Sequence, residues 1–395
     1  MVNMGELFKY PRIGNIDMEL VKMTPKEIEN FALNEGDLLF ARQSLVAEGA
    51  GKCAIISQVD EIETFESHLI RVRLNKKVAN PMFYFYYFQS YIGQSKTQSL
   101  VNQVSAAGIR ASELSQLKVD FPPICIQNKV AFALSQYDDL IEINNHRIAI
   151  LEEMEQKLYR EWFVHFRFPG HENVKMVESK MGLIPENWTV GCVEDLLEYS
   201  RGKSYTSKEL GGDITIPFIN LKNIQSYGGF RQDGTKKFSG KYKETQVVKN
   251  GDIVMAITDM TQERRLVGQV ARISNILDLA VISMDLIKLI PHIETTRDYV
   301  YVMFRYSGIS LKIAEYANGA NVLHLNPEII KQQQCIIPDT DTMIKFGEIV
   351  SKMNNFIEKL IAKNINLQKT RDLILSRLIS GDIDVTKIDI PIKEG

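Results

Sequence analysis

The stretch Ile124–Phe163, ICIQNKVAFALSQYDDLIEINNHRIAILEEMEQKLYREWF, contains neither proline nor glycine. Its apolar residues recur at alternating steps of four and three: Val130, Leu134, Tyr137, Ile141, then Ile148, Leu151, Leu158 and Trp162. A repeat of about 3.5 residues keeps one stripe facing one neighbour, so the pattern predicts a long helix lying along a partner helix. Two seam positions are polar, Asn144 and Glu155. Pro122 and Pro123 suit the approach to the first helical turn.

The partner lies in the same chain. From Pro338 the sequence reads PDTDTMIKFGEIVSKMNNFIEKLIAKNINLQKTRDLILSRLISGD. A shift of 216 residues sets Pro338 on Pro122 and carries the alignment through the whole helix without a gap. Phe346, Val350, Met353, Ile357, Leu360, Leu367, Ile374 and Leu378 then fall on the same seam, with Asn364 and Arg371 as its polar members. Gly381 suits a C-terminal stop. In a fully overlapped antiparallel pair, facing seam residues have numbers that sum to about 508, as Val130 and Leu378 do. That register sets Asn144 opposite Asn364, Tyr137 opposite Arg371 and Glu155 opposite Met353. Two facing asparagines can satisfy each other's amides and so fix the register. Helical pattern alone also fits two unrelated amphipathic helices; the rest of the chain decides between the two.

Outside the helices the repeat continues, and a repeat governs the whole fold. Tyr10–Ile16 lines up with Phe218–Ile224, and Asn34–Arg42 with Lys249–Ile257. In each copy a Gly-Asp turn, Gly36-Asp37 or Gly251-Asp252, opens a short apolar strand followed by a polar loop. Strand-like runs come next, Ala54–Val59 with His68–Leu74, and Gln269–Ile273 with Ala280–Leu289. An aromatic helix follows, Met82–Tyr91 or Asp298–Ser307. Each copy closes on a small-residue loop, Ser105–Arg110 or Asn318–His324, and Ser112 or Asn326 sits where a short helix could be capped. The order is domain, helix, domain, helix: residues 1–123, the central helix and connector 124–170, residues 171–337, the last helix 338–381 and a tail 382–395. The second copy has a front section, Pro185–Leu196 and Arg201–Tyr205, without a counterpart ahead of Tyr10, so the first domain is expected to be shortened at its N-terminus.

With 395 residues the chain can build two or three cores. A formal net charge of −2 gives no global basic signature, so any affinity for nucleic acid must come from local charge or from a partner. Cys53, Cys125, Cys192 and Cys335 form no CxxC pair, which points away from zinc and from a disulfide framework. No signal-peptide core or long apolar run is present, and the expectation is a cytoplasmic protein with no membrane partner.

Catalytic signatures are weak. Gly49-Ala-Gly51-Lys-Cys-Ala54 fits a dinucleotide fingerprint, but the residues after it read as a strand rather than the helix that such a site needs. Asp120-Phe-Pro-Pro123 has the wrong residue order for an amino-methyltransferase tetrapeptide. Asp339, Asp341 and Lys345 match a nuclease pattern only loosely, and they begin a helix. The six histidines show no helical pairing. Binding remains. Loops after the Gly-Asp strands carry Arg42, Gln43, Ser44 and Lys52 in the first copy, and Thr258, Gln262, Arg264 and Arg265 in the second. Arg110, Asn318, Asn321, His324, Lys203, Ser204 and Tyr205 lie in loops of similar character. Arg and Lys neutralise phosphates, and Arg or Gln can bond purine edges in the major groove. Any one of these could be an ordinary surface residue; their matched placement in two repeats is the stronger signal.

The order of parts resembles the specificity subunit of type I restriction-modification enzymes. The residues that carry the resemblance are the paired Gly36-Asp37 and Gly251-Asp252 strands, Trp188 opening the second domain, Leu158–Phe163 and Leu375–Gly381. It implies an α+β fold in which two mixed α/β target-recognition domains are separated by an antiparallel intramolecular coiled coil, with a pseudo-two-fold repeat. It also implies a non-catalytic reader of a split target in double-stranded DNA. Two modification subunits would bring S-adenosylmethionine, and restriction subunits would act as motor and nuclease with ATP and magnesium; no cofactor is expected in this chain. The first domain's short front puts its own DNA recognition in doubt. Two other readings fit the same residues: the recognition subunit of a methylation-only system, and a coiled-coil scaffold for protein partners.

Overall fold

Two helices dominate the computed structural model, which describes residues 1–44, 49–103, 107–276 and 278–386. The central helix, Ile124–Tyr159, has 36 residues and the last helix, Thr340–Ile379, has 40. Gly381, at φ +80°, turns the chain just beyond the second helix, a backbone that side chains with a Cβ disfavour. The chain divides into two compact units, Met1–Ile143 with Asn364–Gly395, and Asn144–Lys363. Each unit therefore holds one α/β domain and part of both helices.

In the first unit, the start of the central helix meets the end of the last. Val130, Leu134, Leu375 and Leu378 share one core. Arg371, expected to face Tyr137, gives its guanidinium to Asp138 one position along. A half-buried cation gains more from a carboxylate than from a ring. In the second unit, the end of the central helix meets the start of the last. Phe346 packs 5.6 Å from Trp162 and 4.8 Å from Phe163, ring centre to ring centre. Both contacts are made by opposite helix ends, so the two helices run antiparallel in each unit. The central helix finishes in a wider π-helical turn, Arg160–Val164, which buries the neighbours Trp162 and Phe163 together. Asn144 and Asn364 are both buried, at 1% and 7% exposure.

The first domain is built on a four-stranded sheet in the order 12–13, 53–56, 38–41, 69–72. Strand Leu38–Ala41 is buried on both faces. Leu38 and Phe40 enter the core shared with the helices, while Leu39 and Ala41 enter the core behind the sheet. Side chains two apart share a face, which is why an unbroken apolar run serves two cores. Helix Pro81–Gln89 covers the first of these faces; Asn80 caps it, and Tyr86 donates to Asp138 at 2.6 Å. Of its six consecutive aromatics, Phe83 to Phe88, the first five are buried. The short helix before the central one starts at Ala111, so Ser112 lies inside it rather than capping it; Glu113 receives the Arg110 N–H instead.

The second domain repeats this arrangement and adds to it. Its main sheet has the order 197–201, 286–291, 253–256, 270–272. Ile253 and Met255 face one core, Val254 and Ala256 another. Helix Arg297–Tyr306 takes the place of Pro81–Gln89. The apolar run expected to be one strand, Ala280–Leu289, is two. Ala280–Ile282 joins a second sheet, parallel to Ile216–Ile219, and Leu286–Pro291 stays in the first. The chain changes sheets through Ser283–Asp285, where Ser283 Oγ bonds Asp285. Trp188 stacks on Phe168 and donates to Asp339, whose carboxylate also receives the Thr342 N–H. Asp339 is thus a helix cap and a domain anchor.

Candidate nucleic-acid interface

In both domains the Gly-Asp turn is built by the same bonds. Gly251 has φ +91°, its N–H bonds Ile273 O at 2.8 Å, and Asp252 receives the Lys249 N–H at 2.9 Å. Gly36 has φ +86°, its N–H bonds Ile56 O at 2.8 Å, and Asp37 receives the Asn34 N–H at 2.8 Å. A cation from the neighbouring strand segment neutralises each aspartate: Lys288 at 2.8 Å from Asp252, Arg73 at 2.6 Å from Asp37. These glycines must take a left-handed backbone, so no other residue serves as well.

Beyond the strand the second-domain chain leaves the sheet and forms a short ribbon. Thr258 and Asp259 pair antiparallel with His324 and Leu323, and Leu325 N–H bonds Ile257 O at 2.8 Å. The loop Met260–Arg265, exposed throughout, hangs from this ribbon. It closes at Gly268, φ +79°, whose N–H bonds Ala256 O. Gln262 reaches across to the carbonyl of Ala320 at 3.0 Å, so this loop and Asn318–His324 form one cluster. Asn318, Asn321 and His324 are exposed within it. Thr258 is not available: it is 4% exposed and donates to Asp285 at 3.2 Å.

The sequence reading missed Asp259. Its side chain is fully buried and accepts from Leu266 N–H at 2.6 Å, Thr261 N–H at 2.9 Å, Thr261 Oγ1 at 3.0 Å and Val267 N–H at 3.2 Å. Burial alone would raise its carboxyl; the three N–H groups outweigh burial and hold it below the usual carboxylate range. The signal was present in Asp259-Met-Thr261, the spacing of a side chain that bonds the backbone two residues on.

Lys203, Ser204 and Tyr205 stand beside this cluster in the chain path, since Met284 N–H bonds Lys203 O and Asp285 bonds Thr258. Only Ser204 is exposed. Lys203 lies 3.7 Å from Glu209, and Tyr205 packs edge-on against Phe218, so both have structural work.

The first domain gathers a matching cluster. Gln43 and Ser44 pair with Gly108 and Ala107, Ile109 N–H bonds Arg42 O at 2.9 Å, and Gly51 N–H bonds Ala41 O at 2.8 Å. Arg42, Gln43 and Arg110 are exposed there. Residues 45–48 and 104–106, including the start of the small-residue loop, lie outside the described residues. Lys52 departs from expectation. Its ammonium donates to Phe8 O at 3.1 Å and sits over the Phe8 ring, and burial pushes its pKa down. It fastens helix Met4–Lys9 rather than facing outward.

Among the described residues, no cluster of three or more His, Cys, Asp or Glu could hold a metal, and no helix is long and apolar enough to cross a membrane.

Comparison with known proteins bears on the fold and the family. A crystal structure of the type I restriction-modification S subunit from M. genitalium superposes with a TM-score of 0.55 at 13% identity, covering 94% of this chain and 88% of that one. At that identity the likeness speaks for the fold. The type I restriction enzyme MjaVIII specificity subunit of Methanocaldococcus jannaschii is 22% identical over 96% of this chain and 86% of its own length. The MjaIX specificity subunit of the same organism is 24% identical over 75% of this chain and 69% of its own length. The family model for the type I restriction modification DNA specificity domain matches twice, at residues 5–153 and 185–369, once on each half of the internal repeat. With most of its length inside those two matches, the chain belongs to the type I restriction modification DNA specificity family.

Proposed function

We propose that this chain reads a bipartite target in double-stranded DNA, one part with each loop cluster, on behalf of modification and restriction subunits that dock on it. The observation that carries the reading is the duplicated loop frame. Two exposed clusters hang from equivalent strands, are closed by equivalent bonds, and present Arg42, Gln43 and Arg110 in one copy and Gln262, Arg264, Asn318, Asn321 and His324 in the other. Arginine and amide side chains on rigid loops suit phosphates and base edges. A chain with net charge −2 cannot bind DNA through its overall field, so contact is confined to such clusters.

The helices serve as the spacer in this reading. A helix of 36 residues is about 54 Å long, longer than one DNA turn of about 34–36 Å. The chemistry belongs to the partners: S-adenosylmethionine on two modification subunits, ATP and magnesium on the restriction subunits. The test is to express the chain with its modification subunits and map methylated adenines genome-wide, with and without it. A split motif that depends on this chain is expected. Duplex binding by the complex should fall steeply with added salt. A complex that methylates without regard to this chain, or that binds no DNA, would refute the reading.

A further inference from the structure

The loop Met260–Arg265 carries five side chains able to form hydrogen bonds, and four are already engaged. Thr261 Oγ1 donates to Asp259, Gln262 donates to the carbonyls of Gly319 and Ala320, and Glu263 pairs with Arg265 at 2.8 Å. Arg264 is different. It is exposed, and among the described residues it makes no hydrogen bond, ion pair or ring contact. Its backbone also stands at φ +53°, a region that a residue with a Cβ rarely adopts. Such a conformation persists only where the surroundings over-determine it. Here they do: Asp259 receives N–H groups from both ends of the loop, at Thr261 and at Leu266 and Val267, and Tyr227 N–H holds Arg265 O at 2.9 Å.

Resting on the function proposed above, we propose that Arg264 is a specificity-determining side chain of the second domain, reading a guanine edge, and that Asp259 is the positioning residue that holds it in place. The guanidinium offers paired donors to guanine O6 and N7. A fixed loop backbone favours that contact, because little backbone freedom is left to lose on binding. Asp259 contacts no DNA in this scheme. Its carboxylate stays ionised in the fold, so it binds the loop N–H groups as a charged acceptor.

The test uses the full chain in complex with its modification subunits and reads the methylated motif. For wild type, a two-part motif is required; its absence would remove the underlying reading and this proposal with it. Given that motif, Arg264→Ala should relax one guanine-containing position in one half, with about tenfold to hundredfold less discrimination there. The other half and the spacing should stay as they were, which shows that the protein is folded. Asp259→Asn should relax the same half, and Thr261→Val, which removes one of the four bonds, should do so more weakly. If Arg264→Ala instead lowers methylation equally at all sequences and makes the salt dependence shallower, the arginine is a phosphate contact and the specificity assignment falls. If Asp259→Asn and Thr261→Val leave the motif unchanged while Arg264→Ala alters it, the positioning role falls.

Discussion

The two α/β domains share a frame and differ in what they mount on it. Both begin the loop cluster with a left-handed glycine and a neutralised aspartate, and both close it with a second left-handed glycine bonded to an alanine carbonyl. Between those points the residues diverge: Ser44 stands where the second domain has Asp259. The first sheet ends at Leu69–Val72, whereas in the second domain Leu197–Arg201 pairs beyond the equivalent strand and a further sheet is added. The frame is fixed by strand pairing and by φ, which tolerate few residues; the loop contents answer only to what they touch. A duplicated scaffold can thus carry two different readers.

The domains also grip the helix pair by different chemistry, and mutation should separate the two modes. In the second unit the grip is aromatic. Phe346 is fully buried among Tyr159, Trp162, Phe163 and Tyr299. Phe346→Ala should cost about 4 kcal/mol, the loss from a large cavity in a packed core. Denaturant unfolding of the purified chain measures it; a loss below about 1 kcal/mol would mean that the site collapses around the cavity. In the first unit the grip is polar: Asp138, 7% exposed, accepts from Tyr86 and pairs with Arg371. Asp138→Ala should cost about 3 kcal/mol, because it leaves the buried Tyr86 hydroxyl without its acceptor and Arg371 with only the exposed Asp372 as a partner. High salt should not restore the loss, since the site is shielded from ions in solution.

A third test uses pH and applies to the second unit alone. Glu155 is 2% exposed on the central helix, and burial pushes its carboxyl up to about 8; Arg305 and Arg272 draw it down, while Glu152 and Asp298 add to the rise. The unfolded chain ionises this group near its ordinary value of 4.5. Between those limits the folded state holds a proton that the unfolded state has lost, so stability falls as pH rises from about 4.5 to about 8 and levels off above. Glu155→Gln removes that slope. The variant should match wild type near pH 5 and exceed it at pH 9, by an amount on the order of a few kcal/mol. Thermal melts at pH 5, 7 and 9 check this; a constant offset at all three would show that Glu155 is ionised throughout.

The helices, the repeat and the Gly-Asp turns were legible in the sequence because each rests on local rules. A 3.5-residue seam needs no knowledge of its surroundings to be read, and Gly36 or Gly251 before a short apolar run marks a turn by itself. The loop residues were less legible. Thr258 is buried because its hydroxyl is taken by Asp285 and its ribbon partner is Leu323–His324, and both are remote in sequence. Lys52 is spent on Phe8, and Ala280–Leu289 divides between two sheets, for the same reason: the deciding contact is non-local. Asp259 was overlooked because an aspartate in a polar loop reads as a solvated residue until its four donors are seen.

The smallest effect is the most direct comparison of the two frames. Gly51 and Gly268 occupy equivalent closing positions at the same φ of +79°. Alanine at either must take a left-handed backbone, which costs about 1–2 kcal/mol. They differ in what a new methyl would meet. At Gly51 it would lie 3.1 Å from Cβ of Thr97, a contact that a displacement of a few tenths of an ångström relieves. At Gly268 it would lie 2.7 Å from the backbone oxygen of Ser310, and a helix carbonyl cannot turn aside cheaply. Gly268→Ala should therefore destabilise the chain by about 1 kcal/mol more than Gly51→Ala, the extra arising from overpacking against fixed backbone. Paired unfolding curves for the two variants decide it. Equal losses would mean that φ alone sets the requirement for glycine, and that the closer packing of the second loop against its helix contributes nothing to it.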